Sequence, residues 1–177
     1  KYYPLQLNYT WHYQDTANSS EFDLKVIEQT SVNGAVGWRV AKSGTEDWDV
    51  LTLDDKGLRL QMKRDKNGTN NWAPGVTFSP ATGKLGETYT TLPDFVNPGT
   101  GNKMVWTVKF EKFVDVTVPA GKYASCALLK LAVKDQKLGT KFASVEMWLA
   151  PGVGLVKRQG QFFGQFFVQN LMSCTLK

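Results

Sequence analysis

The sequence predicts an all-β or β-dominated fold, built as a meandering antiparallel sheet. Apolar and polar residues alternate with a period of two along most of the 177 residues, and this period places successive side chains on opposite faces of a strand. Aromatic residues make up 12% of the chain, and they favour strands over helices. Short segments rich in Gly, Asn and Pro separate the alternating stretches and are typical of turns. A chain of this length is expected to form one domain over residues 1–177.

The first half of the chain contains four predicted strands. Residues 22–26 and 36–40 alternate on either side of Asn33-Gly34, a pair that favours a hairpin turn with positive φ. A third strand is expected at 48–53. A fourth covers 58–63, where strict alternation predicts even-numbered side chains on one face and odd-numbered ones on the other.

The middle of the chain carries weaker strand signals. Residues 65–71 are almost entirely polar and predict a loop. From residue 73 to residue 101 Pro and Gly recur, which indicates irregular chain or short edge strands, because Pro cannot donate to a sheet ladder.

Regular alternation returns in the second half. A long amphipathic strand begins at Met104, and the chain returns over residues 123–133 after a turn at 119–121. Further strands are expected at 142–149 and 154–159. Together these segments extend the meander of the first half.

The segment 161–169 fits two structures. Pairs of Phe four residues apart would form one apolar stripe on a helix, whereas a strand would place Phe on both faces. The glycine at position 164 and the Phe-rich composition disfavour a helix, so a strand is predicted. Both faces of that strand would then need cover.

Composition excludes several classes of function. The net charge is +5, but the basic residues are scattered at alternate strand positions such as Arg59, Lys109 and Lys130, so nucleic-acid binding is not expected. No stretch approaches eighteen consecutive apolar residues, so no transmembrane helix is expected.

The chain offers few groups for metal binding or catalysis. Cys126 and Cys174 are the two cysteines and His12 is the one histidine, too few for a structural zinc site, and no cofactor is expected. The two cysteines are candidates for one disulfide, or are two unpaired buried thiols. His12 lies in an alternating aromatic segment and no Gly-x-Ser-x-Gly motif occurs, so no catalytic residue is assigned and the protein is not expected to be an enzyme.

Several motifs resemble a recurrent bacterial extracytoplasmic family. The chain opens with Tyr2-Tyr3-Pro4-Leu5 and Trp11-His12-Tyr13, and members of that family open with aromatic-Pro-Leu, a Gly and then Trp-x-Tyr. Asn8 stands where the family usually has Gly, and Tyr89 where it usually has Trp. The likeness continues in order along the chain at Asp55-Lys56-Gly57-Leu58, Leu85-Gly86-Glu87-Thr88-Tyr89, Val118-Pro119-Ala120-Gly121-Lys122-Tyr123 and Ala150-Pro151-Gly152-Val153-Gly154-Leu155-Val156-Lys157.

The resemblance implies an extracytoplasmic protein, secreted or periplasmic, in a family often lipid-anchored at an N-terminus that is removed. It also implies a curved sheet reminiscent of lipoprotein-carrier half-barrels. Together with the strand pattern, it predicts a curved antiparallel meander that forms a half-barrel or a sandwich. The family supplies no catalytic residues to transfer.

The surplus of aromatic residues predicts a binding function. We expect a non-enzymatic module with an apolar concavity for a lipid or another hydrophobic small molecule, because ligand pockets are mostly apolar. Trp72 is expected in an exposed loop, where its ring would contact the ligand. The alternative is a structural or protein-interaction module that adds a partner to an exposed edge strand at 165–176. Alternation predicts the wall residues of the concavity to be Trp106, Phe110, Met147, Trp148, Phe162 and Phe166.

Overall fold

A computed structural model describes residues 3–97 and 99–176, and every regular element in these ranges is a β-strand. Tyr2 of the opening motif lies outside the described residues. The strands are β1 (Thr10–Asp15), β2 (Ser20–Val32), β3 (Ala35–Lys42), β4 (Trp48–Asp54), β5 (Gly57–Asp65), β6 (Gly68–Pro80), β7 (Thr88–Thr91), β8 (Met104–Val118), β9 (Gly121–Asp135), β10 (Lys141–Ala150), β11 (Gly154–Phe162) and β12 (Gln165–Thr175).

All twelve strands form one antiparallel sheet in the order β6-β5-β4-β3-β2-β1-β12-β11-β10-β9-β8-β7. Strands that follow one another in sequence are neighbours in the sheet, with one exception. β6 and β7 are not paired but form the two edges, and β1 pairs with β12 to join the two halves. The predicted meander is therefore confirmed.

The sheet curls until its two edges meet. In a flat sheet with strands about 4.8 Å apart, β6 and β7 would be separated by roughly 50 Å. Instead, the Trp72 ring centroid on β6 lies 5.3 Å from that of Trp106 on β8. The Asp94 amide donates to the Ala73 carbonyl at 3.1 Å. The result is a nearly closed, barrel-like sheet, and the predicted all-β fold class is confirmed.

The hydrophobic core fills much of the inner face of this curled sheet. Tyr13 Oη donates to the Leu155 carbonyl at 2.7 Å, and Trp11 Nε1 donates to the Val153 carbonyl at 2.7 Å. These bonds satisfy the polar atoms of two buried rings and tie β1 to β11 and to the turn before it. Other fully buried side chains include Val26, Met104, Val108, Leu129, Val133, Val156 and Leu171.

A smaller buried group lies beside β4 and β5, on the face opposite Leu51. Gln61 is only 2% exposed, and its Nε2 donates to Thr52 Oγ1 at 3.0 Å. The register of β4 against β5 shifts between Val50 and Leu51, which interrupts the strict alternation predicted for 58–63. Such a β-bulge places two successive side chains opposite one partner, so Gln61 is buried instead of solvated.

The turns largely follow the sequence signals. Asn33 and Gly34 have φ values of +50° and +76°, as the predicted hairpin requires. Asn8, at the position where the resembled family has Gly, has φ +68°. Asn tolerates this left-handed conformation better than most residues with a side chain, so the departure from the family pattern preserves the turn.

Of the two weaker predictions in the middle of the chain, one differs from the structure and one agrees with it. The polar loop expected at 65–71 is only a two-residue turn, since β6 begins at Gly68. Pairing with β5 outweighs the polar composition there, because one face of an edge strand can remain in water. In the Pro-rich stretch, the prediction of edge strands is confirmed by the C-terminal half of β6 and by β7.

The segment 161–169 is extended, as predicted, but it is not one continuous strand. β11 ends at Phe162, and β12 begins at Gln165. Phe163 and Gly164 form the turn with φ values of +48° and +83°. The expectation that 165–176 forms an exposed edge was wrong, because β12 pairs with β1 on one side and β11 on the other.

Within the described ranges, no helix is long and apolar enough to cross a membrane.

Candidate binding site on the inner face

The predicted wall residues divide between the two faces of the sheet. Trp106, Phe110 and Met147 lie on the inner face and are 2%, 5% and 8% exposed. Phe162 is half-buried and packs against the same core. Trp72 also belongs to this core at 5% exposure, so the expected exposed loop position was wrong. It lies on β6, where the curled sheet brings it against β8.

Trp148 and Phe166 do not join this group. Trp148 follows Met147 directly, so the alternation of the strand turns it to the other face. There the Lys157 Nζ lies 5.1 Å from its ring centroid. Phe166 is 70% exposed. The alternation pattern identified the strands correctly but did not show which face of each strand turns inward.

Four rings make a continuous contact chain that we call the aromatic cluster: Phe95, Trp72, Trp106 and Phe162. Their successive centroid distances are 5.8, 5.3 and 5.9 Å, with interplanar angles of 52°, 48° and 55°. These tilted arrangements are favourable for aromatic pairs. The cluster lies where the two edges of the sheet meet, and Phe162 extends it to the end of β11.

The two indole N–H groups of the aromatic cluster are buried without a hydrogen-bond partner among the described residues. The atoms are Trp72 Nε1 and Trp106 Nε1. Buried indole nitrogens normally find an acceptor, as Trp11 does in this protein. Leaving a buried donor unsatisfied costs about 1–3 kcal/mol. The cluster therefore presents two unsatisfied donors inside an apolar surrounding.

Charged side chains also face inward. Lys63 Nζ lies 3.4 Å from Asp49 Oδ1, and the two side chains are 31% and 36% exposed. Burial nevertheless raises the pKa of Asp49, and the opposing charge of Lys63 moderates that rise. A side chain such as Asp49 that is surrounded by protein and yet partly exposed is expected to border a concave recess. Solvent therefore reaches part of the inner face.

Arg158 on β11 pairs with Met147 and therefore also lies on the inner face. Its charge lowers the pKa of Asp49, although burial outweighs it, and opposes the rise of the Tyr3 pKa. Along the sheet, β4 and β11 are five strands apart, or roughly 24 Å at the usual spacing. The influence of Arg158 on Asp49 is thus exerted across the interior of the curled sheet and not along its surface.

A buried hydrogen-bond relay holds Arg158. Its Nε donates to Gln169 Oε1, and Gln169 Nε2 donates to Asp15 Oδ2 at 3.0 Å. Asp15 is 4% exposed, and its Oδ1 accepts from the backbone amides of Val168 and Ala17, both at 3.1 Å. The Arg158 Cζ atom lies 5.4 Å from the Phe167 ring centroid. The guanidinium group is therefore fixed in position.

Tyr3 packs against the core beside Gly154, at the start of β11, whereas Phe162 of the aromatic cluster lies at its end. The ring centroid of Tyr3 lies 5.4 Å from that of Trp11, and burial raises its pKa to about 12. The chain that follows it borders a cleft of about 220 Å³, lined by Tyr3, Pro4, Leu5, Gln6, Tyr9 and Leu53. A smaller recess of about 60 Å³ lies beside Phe142 and Gln161.

The groups considered for catalysis, metal binding and a disulfide lie apart from the aromatic cluster. His12 Nδ1 is 2.7 Å from Asp23 Oδ1, on the half-exposed face of β1 and β2. Cys126 and Cys174 are both unbonded, and burial raises the pKa of each thiol. A raised thiol pKa lowers reactivity. Within residues 3–97 and 99–176, no group of three or more His, Cys, Asp or Glu side chains could hold a metal ion.

Comparison with known proteins gives matches only at the level of structure. No family model and no curated protein sequence matches the chain. A crystal structure from Bacteroides fragilis NCTC 9343, of a "putative exported protein with YmcC-like fold", matches with a TM-score of 0.53 over 99% of both chains at 13% identity. The fold of this chain is similar to the YmcC-like fold.

A second solved structure is also similar, at a lower score. It is a "putative lipoprotein" from Parabacteroides distasonis ATCC 8503, with a TM-score of 0.46, 14% identity and coverage of 98% of both chains. At 13% identity, the likeness to the B. fragilis structure concerns the fold alone.

Sequence reasoning missed the charged part of the site. Asp15 continues the alternation Trp11, Tyr13, Asp15, which already indicated that its side chain faces inward. The inward direction of Arg158 could not be recognised, because Val156, Lys157 and Arg158 do not form a simple alternating pattern. Only the pairing of β11 with β12 places Arg158 opposite Gln169.

Proposed function

We propose that this protein is a non-enzymatic, extracytoplasmic binding module whose inner face takes a hydrophobic or lipid-like ligand. The observation that carries the proposal is the pair of unsatisfied indole N–H groups of Trp72 and Trp106, in rings whose centroids are 5.3 Å apart. A ligand with an apolar body and an oxygen acceptor would pack against the rings and satisfy a donor. Mostly apolar sites with a few placed polar groups are typical of ligand pockets.

The curvature of the sheet supports this assignment. Eight strands close into a barrel whose interior side chains just fill it, whereas this curled sheet has twelve. Much of the inner face is nevertheless packed. The partly exposed side chains of Asp49 and Lys63 indicate that solvent reaches the inner face beside β4 and β5.

The first test is native mass spectrometry of the purified protein, followed by organic extraction and identification of what is released. A co-purifying lipid mass supports the proposal and identifies the ligand class. An unliganded monomer argues against a tightly held ligand. An unliganded multimer would favour the alternative of a protein-interaction module.

A second test measures binding at the aromatic cluster directly. Tryptophan fluorescence is titrated with methyl laurate, an apolar chain that carries an ester acceptor. A hydrogen bond contributes about 0.5–1.5 kcal/mol net. The double variant Trp72→Phe/Trp106→Phe should therefore bind about 2- to 13-fold more weakly if one bond forms, and about 5- to 160-fold more weakly if both form. Trp48→Phe is the matched control, since Trp48 lies against Arg39 on the outer face. Equal affinities in all three proteins would refute the assignment of the site.

The extracytoplasmic part of the proposal is supported by the motifs that resemble those of the bacterial extracytoplasmic family, such as Val118-Pro119-Ala120-Gly121-Lys122-Tyr123. The description of the B. fragilis protein as exported is consistent with it. Protease treatment of intact cells, compared with cells whose outer layers have been opened, tests it. Protection that persists after the cell envelope is permeabilised, with the cytoplasm still sealed, would contradict it.

Addition of a partner strand at the edge of the sheet has less support. The two edges face one another, and Thr77 Oγ1 and Thr91 Oγ1 lie 3.3 Å apart across the junction between β6 and β7. An edge that is covered in this way offers few free backbone groups to another chain.

A further inference from the structure

We propose that the ligand carries an anionic oxygen head group, a carboxylate or a phosphate, and that Arg158 binds it. This inference rests on the proposed function and specifies its ligand. Arginine is suited to the role because its planar fork of N–H donors matches the oxygens of both groups. The argument depends on where Arg158 lies and on what its guanidinium group does not contact.

Arg158 lies on the same face as the aromatic cluster. It is four residues before Phe162 on β11, so alternation turns both side chains inward, about 13 Å apart at the usual rise per residue. Phe162 contacts Trp106 at a centroid distance of 5.9 Å. An extended amphiphile can therefore place its apolar chain against Phe162, the half-buried ring at the end of the cluster, while its head group contacts Arg158.

The guanidinium group is held from one side only. Its Nε donates to Gln169, and its Cζ lies 5.4 Å from the Phe167 ring centroid. Among residues 3–97 and 99–176, no carboxylate oxygen lies within 4.0 Å of it, the limit for an ion pair. Charged groups that leave bulk water are usually paired. The two terminal nitrogens thus remain for an external anion.

Neighbouring charges favour that anion as well. Asp49 is paired with Lys63 at 3.4 Å, so its carboxylate is engaged by another cation. Lys42 lies on β3, the strand next to β4, and its Nζ is 4.7 Å from the Phe22 ring centroid. Lys42 pairs with Leu24, which packs against the core, so its charge also lies on the inner face.

The relay behind Arg158 supports a binding role for it. Asp15 and Gln169 are 4% and 9% exposed, and burial of a carboxylate is costly unless it is fully hydrogen-bonded. The Asp15 carboxylate accepts from three N–H donors, those of Ala17, Val168 and Gln169. The amide oxygen of Gln169 in turn accepts from Arg158. A guanidinium group fixed in this way loses little conformational freedom when it binds an anion.

The experiment compares laurate, dodecyl phosphate and methyl laurate by fluorescence titration and calorimetry. These probes share an apolar chain and differ in the head group. We expect the wild-type protein to bind at least one of the two anions about 10- to 100-fold more tightly than the ester, as a hydrogen bond to a charged group predicts. Whichever anion binds more tightly identifies the source of the head group.

Arg158→Gln should remove that preference and leave binding of methyl laurate unchanged. The matched control is Arg64→Gln, which removes an exposed guanidinium group paired with Glu46 outside the recess. It should bind all three probes as the wild type does. Circular dichroism and thermal unfolding check that the variants fold, and the preference of the wild type is measured independently of any variant.

The outcomes separate the two proposals. If the wild type binds the ester as tightly as both anions, or if Arg158→Gln keeps the preference, the head-group inference is wrong and the binding function stands. If none of the three probes binds to the folded wild-type protein, both proposals are wrong.

Discussion

The negative charge of the buried relay of Asp15, Gln169 and Arg158 can be moved from one residue to the next. Asp15→Asn together with Gln169→Glu transfers the carboxylate from position 15 to position 169 and leaves each side chain nearly the same size. Asp15→Asn keeps an oxygen for the amides of Val168 and Ala17 but replaces Oδ2 with an NH2 group. That group then faces Gln169 Nε2 at the present distance of 3.0 Å, so two donors oppose each other. If the Gln169 amide turns over, its nitrogen faces Arg158 Nε instead, and the conflict moves without disappearing.

The magnitude follows from the hydrogen bonds concerned. One bond to a charged group, worth about 1.5–3 kcal/mol, is lost between side chains that are at most 9% exposed. Asp15→Asn should therefore lower the free energy of unfolding by about 1.5–3 kcal/mol, or reduce the melting temperature by about 3–12 °C for a chain of this size. Gln169→Glu alone should also destabilise, because two carboxylates would share one buried contact.

The double variant Asp15→Asn/Gln169→Glu should recover most of this loss. The amide introduced at position 15 would donate to the carboxylate introduced at position 169. That carboxylate would also accept from Arg158, so every donor again has an acceptor. Urea unfolding of the wild type, both single variants and the double variant completes a double-mutant cycle. A favourable coupling of about 1–3 kcal/mol is expected between residues in direct contact.

Asp55→Asn is the control, since this exposed turn residue lies outside the relay. It should change stability by less than about 0.5 kcal/mol. Additive effects of the two single variants would refute the relay as described. In the double variant, the new carboxylate at position 169 would also neutralise Arg158, so the preference for laurate over methyl laurate should be lost while the fold is retained.

Three further predictions concern packing, titration and redox state. Gly160→Ala should destabilise by about 2–5 kcal/mol in urea unfolding, because its φ is +144° and a Cβ atom would lie 2.1 Å from a backbone oxygen. Gly164→Ala, at φ +83° with open space around it, should cost only about 1–2 kcal/mol, and equal losses would contradict this reasoning. Folding raises the pKa of Tyr3 from 10.0 to about 12, which corresponds to about 3 kcal/mol of unfolding free energy. This contribution is complete below pH 10 and is lost as the pH rises toward 12. The Tyr3→Phe variant should lack this part of the decline in unfolding free energy. Ellman's reagent should find Cys126 and Cys174 slow to react in the native protein and two thiols in denaturant, whereas no thiols in denaturant would show a disulfide.

The local pattern was enough to predict most of the strands and turns. Alternation depends on the geometry of a single strand, and the Asn33-Gly34 turn depends on backbone preferences of adjacent residues. For the same reason the sequence predicted that Trp106, Phe110 and Met147 lie on strands with a buried face. The extended form of 161–169 followed from composition, but its turn at Phe163 and Gly164 was missed, because Phe is an uncommon residue at positive φ.

The candidate binding site could not be predicted in the same way, since its parts are far apart in the chain. Asp15 meets Gln169 across 154 residues, and Trp72 meets Trp106 only because the two edges of the sheet come together. Which face of β10 turns inward, and therefore that Met147 rather than Trp148 lines the interior, depends on the curvature of the whole sheet. An antiparallel β meander rich in aromatic side chains could be predicted from the amino acids alone, because those signals are local. The closure of the sheet, the two unsatisfied indole groups and the inward position of Arg158 emerge only in the folded chain, because each depends on contacts between strands distant in sequence.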